Sequence, residues 1–89
     1  MTKKTIVYTA GVWDLFHIGH LNIIKKSKRL GDYLIVAVST DDLVRSYKGY
    51  YPAIPYKDRY DIVSACKYVD KVVKQTKIIG INYLKKYKH

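Results

Sequence analysis

The sequence is short of several things, and each shortage removes a class of protein. There is one cysteine, Cys66, so no internal disulfide can form and a reducing, cytoplasmic setting is expected. Long apolar runs are missing. The longest is the five residues 34–38, against the roughly 18 that a membrane-spanning helix needs, so no membrane partner is expected. Met1-Thr-Lys-Lys leads into only a few apolar residues before Asp14, which does not match a secretory signal. Five glycines and two prolines are too few for a linker or a low-complexity segment, and no internal repeat is visible. Acidic residues are scarce too, seven against seventeen Lys plus Arg, which leaves a formal net charge of +10.

What remains is the composition of a folded domain. The chain has 89 residues, 48% of them hydrophobic and 27% charged, enough for one domain and too few for two. The positive charge favours anionic partners, and by itself leaves nucleic acid, acidic lipid and phosphorylated small molecules open. Many lysines are scattered singly, as on any solvated surface. The ten tyrosines fall mostly alone among apolar neighbours, which suits core edges and interfaces better than base stacking.

Thr5-Ile-Val-Tyr-Thr-Ala is apolar and β-branched and stops at Gly11, the pattern of a buried strand. From Gly19, the positions His20, Ile23, Ile24, Ser27 and Leu30 share one helical face, with Lys25, Lys26, Lys28 and Arg29 largely on the other and Gly31 where a C′ residue belongs. Residues 33–40 (YLIVAVST) are continuously apolar and short, which predicts a strand buried on both faces. Strand, helix and strand make a βαβ unit with parallel strands, so a ligand belongs at their carboxyl ends, near residues 10–20 and 40–42. A short helix over residues 41–47 is expected next, then a loop over 48–55 whose first half is the one aromatic-basic cluster. Pro55 opens a helix through Arg59, Ile62, Val63, Ala65, Cys66 and Val69, with Cys66 on its core side. Residues 71–74 read as a third strand and residues 80–87 as a last short helix.

One segment carries chemistry. In Gly11-Val-Trp-Asp-Leu-Phe-His-Ile-Gly-His, two histidines three apart flank Gly19 where a strand turns into a helix. Both imidazoles can leave the first turn beside backbone N–H groups that lack helical partners, which makes an anion site with two tunable donors. Gly19 is expected to let the backbone approach a ligand closely. Zinc does not fit, because His17 and His20 have no second ligand pair nearby and Cys66 stands alone; no protein-held metal is expected.

The signature His17-Ile-Gly-His20 after a first strand, with Gly11-x-x-Asp14, resembles the nucleotidyltransferases of the cytidylyltransferase type. Two further stretches match in order: Gly31-Asp-Tyr-Leu-Ile-Val-Ala-Val-Ser-Thr-Asp-Asp, and Asp58-Arg-Tyr-Asp-Ile-Val-Ser-Ala-Cys-Lys-Tyr-Val-Asp-Lys-Val-Val. The second is similar to segments of glycerol-3-phosphate, phosphocholine and phosphoethanolamine cytidylyltransferases. The resemblance covers most of residues 5–74. It implies an α/β fold, a Rossmann-like parallel sheet with flanking helices in a single domain over residues 1–89, lacking the C-terminal third of the family fold. There the family carries another parallel strand, a nucleotide-side motif and an R-x-x-x-I-S-[ST] segment.

By resemblance, a phosphorylated alcohol attacks the α-phosphorus of CTP and releases pyrophosphate, with Mg²⁺ accompanying the nucleotide. His17, His20 and Lys48 are the catalytic candidates, with Lys48 in the loop after the second strand reaching the phosphates. Val12, Trp13, Gly19 and both histidines fall on the nucleotide side, although packing is an alternative for Trp13. Asp14, Asp41 and Arg59 are the candidates for substrate binding. Each has a plainer alternative: Asp14 capping loop N–H groups, Asp41 ordering the next turn, and Arg59 in a surface salt bridge with Asp58 or Asp61. The run Tyr68-Val-Asp-Lys-Val-Val, residues 68–73, resembles a dimer-interface stretch, which implies a homodimer. Residues 39–41 favour glycerol 3-phosphate as the acceptor, whereas residues 59–61 and 66–70 lean toward the choline and ethanolamine enzymes. The partners expected are thus CTP and a small phosphorylated alcohol, without nucleic acid. A non-catalytic module binding nucleotides or nucleic acid is the alternative, separable by its steep salt dependence.

Overall fold

The computed structural model describes residues 5–77, and the helix expected over residues 80–87 lies outside them. Three parallel strands, β1 (Ile6–Gly11), β2 (Tyr33–Ser39) and β3 (Lys71–Gln75), form one sheet in the order β1-β2-β3. The register pairs Val7 with Leu34, Thr9 with Val36, and Val36 with Val72. The most continuously apolar strand, β2, takes the centre, where residues 34–39 are all buried.

Helix α1 (Ile18–Arg29) returns the chain from β1 to β2, while α2 (Asp41–Lys48) and α3 (Tyr56–Ser64) link β2 to β3. Leu34, Val36 and Val38 alternate onto one face of β2 and pack with Ile24 of α1, Val63 of α3 and Trp13. Ile24 and Val63 are fully buried; each contributes roughly 1.5 to 3 kcal/mol by leaving water. Lys28 of α1 bonds Asp70 at 2.6 Å, and the same carboxylate oxygen accepts the Leu34 N–H, fastening the bottom of the sheet.

The structure refines the sequence pattern at several element ends. Thr40 leaves β2 and caps α2, its hydroxyl accepting the Leu43 N–H. Lys48 is the last residue of α2 and not part of a loop; the helix stops at Gly49, whose φ of 82° favours glycine. Helix α3 ends at Ser64 with Ala65 as C-cap, so Cys66 and Val69 sit in the turns that follow, half-buried against the core. Gly31 does occupy the C′ position of α1, but without a positive φ. Its requirement is space, since a Cβ there would lie 2.7 Å from the Thr5 carbonyl oxygen and from Val7.

Candidate active site

The carboxyl end of β1, the start of α1 and the helix α2 that follows β2 border a pocket of about 470 Å³. His17, His20 and Trp13 line one side, and Lys48, Tyr50 and Pro52 the other. The β1–α1 loop reaches it in an unusual conformation: Trp13 and Leu15 have φ of 56° and 50°, in the left-handed region that costs other residues roughly 1–3 kcal/mol. Trp13 offsets part of this by burying its ring to 5% exposure and donating its indole N–H to the Ala37 carbonyl of β2 at 3.0 Å. Gly11 makes room, because a Cβ there would meet the Trp13 ring at 3.0 Å.

The two histidines lock each other at the start of α1. His17 is the N-cap, and its Nδ1 accepts the Gly19 N–H at 2.9 Å. His20, one turn on, accepts the His17 N–H on its own Nδ1 at 3.2 Å. A nitrogen that accepts a hydrogen bond carries no proton, so in both neutral rings the proton belongs on Nε2. The rings are 4.2 Å apart; His20 also stacks on Phe16 and meets Trp13 edge-on. Burial, then the charge of His17, push the pKa of His20 down, against an opposing pull from Asp14, which favours the neutral donor form. Gly19 contributes space here as well: a Cβ would lie 2.7 Å from Cε1 of His17, so the imidazole of the cap occupies the room the glycine leaves.

Asp14 lines the pocket, but both of its oxygens are engaged: Oδ2 accepts the Ala53 N–H at 2.8 Å and Oδ1 the Ile54 N–H at 2.9 Å. Burial alone would raise its pKa; the hydrogen bonds from Ala53, Ile54 and Leu15 and the charge of Arg59 outweigh it and hold the carboxyl below its usual range. Of its two sequence-based roles, loop capping is the one visible in the bonds.

Arg59 requires a correction. At 1% exposure it is neither a surface salt bridge with Asp58 or Asp61 nor a side chain open to a substrate phosphate. Its Nε donates to the Ile54 carbonyl at 2.8 Å, Nη1 to the Val12 carbonyl at 2.6 Å, and Nη2 to Oδ1 of Asp41 at 2.6 Å. Asp41 has internal partners too: its oxygens accept from Arg59 and from the Tyr56 N–H that opens α3, as the turn-ordering alternative expects, while 37% of its side chain stays exposed. Val12 lines the pocket and offers its carbonyl to Arg59. Tyr50, Pro52, Ile23 and Val44 also line the pocket, although only the aromatic-basic character of residues 48–51 hinted at any of them. Among the described residues no group of three metal-ligating side chains exists, and the pocket's Asp14 spends both oxygens on N–H groups, so these residues do not build a cation cage.

A parallel α/β sheet with a helix N-terminus and paired imidazoles at its carboxyl end has the geometry of an anion-binding site. The comparisons sharpen this: a cytidylyltransferase-like family model matches residues 8–89, and the chain belongs to that family. It is 34% identical over 85 residues to a probable ethanolamine-phosphate cytidylyltransferase of Encephalitozoon cuniculi, covering 96% of this chain and 26% of that protein. It is 44% identical over 71 residues to an FAD synthase of Pyrococcus horikoshii, covering 80% and 48%. The crystal structure of a lipopolysaccharide core biosynthesis protein from Thermoplasma volcanium superimposes with a TM-score of 0.82 at 29% identity, covering 96% of this chain and 69% of that one. The chain thus spans less than half the length of these two curated relatives.

Proposed function

We propose that this chain is the phosphate-handling part of a nucleotidyltransferase that joins a cytidylyl group from CTP to a phosphorylated alcohol. The observation that supports it most is the pair of bonds accepted by Nδ1 of His17 and His20, since with the proton then on Nε2 two donors remain on residues that line the pocket at a helix N-terminus. An acceptor phosphate oxygen forms a bond to the α-phosphorus while the bond to the bridging oxygen breaks, and that electron pair leaves with pyrophosphate. Negative charge shifts among the phosphate oxygens, so donors already in place stabilise the transition state without reorganising. His17 and His20 donate to those oxygens, and Lys48 supplies a positive charge from the opposite wall. Mg²⁺ is proposed as the counter-ion of the triphosphate; bound there it would supply charge neutralisation, held by the nucleotide and not by the residues of this pocket.

Glycerol 3-phosphate is the acceptor that residues 39–41 favour, while the relatives are named for ethanolamine phosphate and for FAD. The test is pyrophosphate release from CTP and from ATP with glycerol 3-phosphate, phosphocholine, phosphoethanolamine or FMN. Turnover with CTP and a phosphorylated alcohol supports the reading, and turnover only with ATP and FMN replaces it. His17→Ala should keep the fold and lower turnover by roughly 10²–10³-fold, the cost of one lost donor in a preorganised anion hole; undiminished turnover would remove His17 from the mechanism. A cytoplasmic homodimer is proposed alongside. Tyr68, Val69 and Val72 are only half-buried against the core, and among the described residues no helix is long and apolar enough to cross a membrane.

A further inference from the structure

We infer that Asp14, Arg59 and Asp41 form a clamp that fixes the pocket wall carrying Lys48 and Tyr50 against the loop carrying His17. The residue they grip is Ile54. Its N–H is held by Asp14 and its carbonyl by Arg59, so the peptide groups on both sides of one residue are each tied to a charged side chain. Asp14 adds the neighbouring Ala53 N–H, and Arg59 reaches on to the Val12 carbonyl, two residues before Asp14. Segment and loop are therefore stitched together at Val12 and Asp14, on either side of Trp13. Asp41, at the start of α2, closes the arrangement by balancing the buried guanidinium and accepting the Tyr56 N–H. Apart from the bond between Arg59 and Ile54, every bond in the set joins residues at least 15 apart in sequence, and the buried side-chain polar atoms of the described residues are all satisfied.

The clamped segment needs such a restraint. It leaves α2 at Gly49, which has no neighbour within 4 Å of a Cβ position, and carries Tyr50 at 61% exposure. On the other side, Trp13 and Leu15 hold left-handed backbone immediately around Asp14, a conformation that persists only where its surroundings impose it. The clamp supplies that imposition and sets the spacing between Lys48 and the imidazoles. Its effect on catalysis rests on the transferase reading; its effect on the backbone does not. Asp14 and Arg59 are accordingly positioning residues.

The test begins with the wild-type protein, by amide hydrogen exchange. Ala53 and Ile54 should be protected although they lie outside helix and strand, whereas free exchange at both would overturn the clamp. In Asp14→Asn, which keeps the shape but cannot accept both N–H groups with a charge, protection at these two amides should fall roughly tenfold while β2 amides are unchanged. The His17 and His20 imidazole resonances should shift in the same variant, and unshifted resonances with released amides would overturn the coupling. In turnover, kcat should fall roughly tenfold or more with KM little changed, because misplacing the walls harms the transition state more than ground-state binding. An unaltered kcat in the folded variant would sink the catalytic role. If the wild-type protein transfers no nucleotide, the transferase reading fails, and the exchange and imidazole measurements alone decide the clamp.

Discussion

His20 uses its two ring nitrogens for different purposes. Nδ1 accepts the His17 N–H and thereby finishes the helix cap, and that bond assigns the proton to Nε2. Structure and proposed catalysis are thus coupled in one ring, and the same holds for His17 through Gly19. Gly19→Ala separates the two contributions. The new methyl would meet the His17 ring at 2.7 Å, so the imidazole must swing out and release the Gly19 N–H. The expected stability loss is small, about 1 kcal/mol for a lost cap, partly recovered through the better helix propensity of alanine. The expected loss of turnover is large, approaching that of His17→Ala. Thermal melts and pyrophosphate release on the same sample check this, and equal, small effects on both would refute the idea that the glycine exists to seat His17.

At the scale of elements, what was legible in the sequence followed local pattern. The apolar run of β2 has one sensible burial and is buried; the stripe of α1 predicts the helix, although of its members only Ile24 is buried while Ile23 and Leu30 stay exposed. The histidine pair was legible because its members share one turn of helix. Arg59 was not, because its partners at Val12, Asp41 and Ile54 come from three other parts of the chain, and a charged residue on a helix reads by default as surface. The helix α3 was read as too long for a related reason: Cys66 and Val69 stay on the core side, so helical spacing fits them, yet they reach the core through turns. The burial of Arg59 has an energetic consequence. Arg59→Ala leaves Asp41 without its counter-charge and strips bonds from two carbonyls; because Asp41 is itself 37% exposed, the cost falls at the low end for a broken ion pair, about 2–3 kcal/mol. Urea denaturation should show a loss of that size, whereas Lys57→Ala, exposed on the same helix, should change stability by less than about 0.5 kcal/mol. A loss at Arg59 no larger than at Lys57 would mean that the bonds around the guanidinium are not holding the fold.

For the whole molecule, the charge balance and the site act together when pH falls. The chain begins at a formal +10, so each added proton increases a repulsion already present. His20 responds first. Its pKa is held down in the folded state, by burial and then by His17, so as pH drops from above its ordinary value of 6.5 the unfolded chain takes up a proton that the folded one resists. The stability this contributes is complete above 6.5 and is lost as pH falls through the lower folded value, and protonation of Nδ1 also removes the acceptor for the His17 N–H. Asp14 responds later with the same sign, because its carboxyl is likewise held down: its contribution is present above 3.8 and disappears as pH falls through its folded pKa, releasing Ala53 and Ile54. Melting temperature should therefore decline in two stages on acidification. Added salt should soften the general decline by screening exposed charge, while leaving the staging, which arises at half-buried groups, largely in place. In His20→Asn the first stage should shrink and the second persist. A melting temperature that stays level until the carboxylate range in the wild-type protein would show that His20 is not held neutral by the fold, and would remove the reason for treating its Nε2–H as a donor already in place.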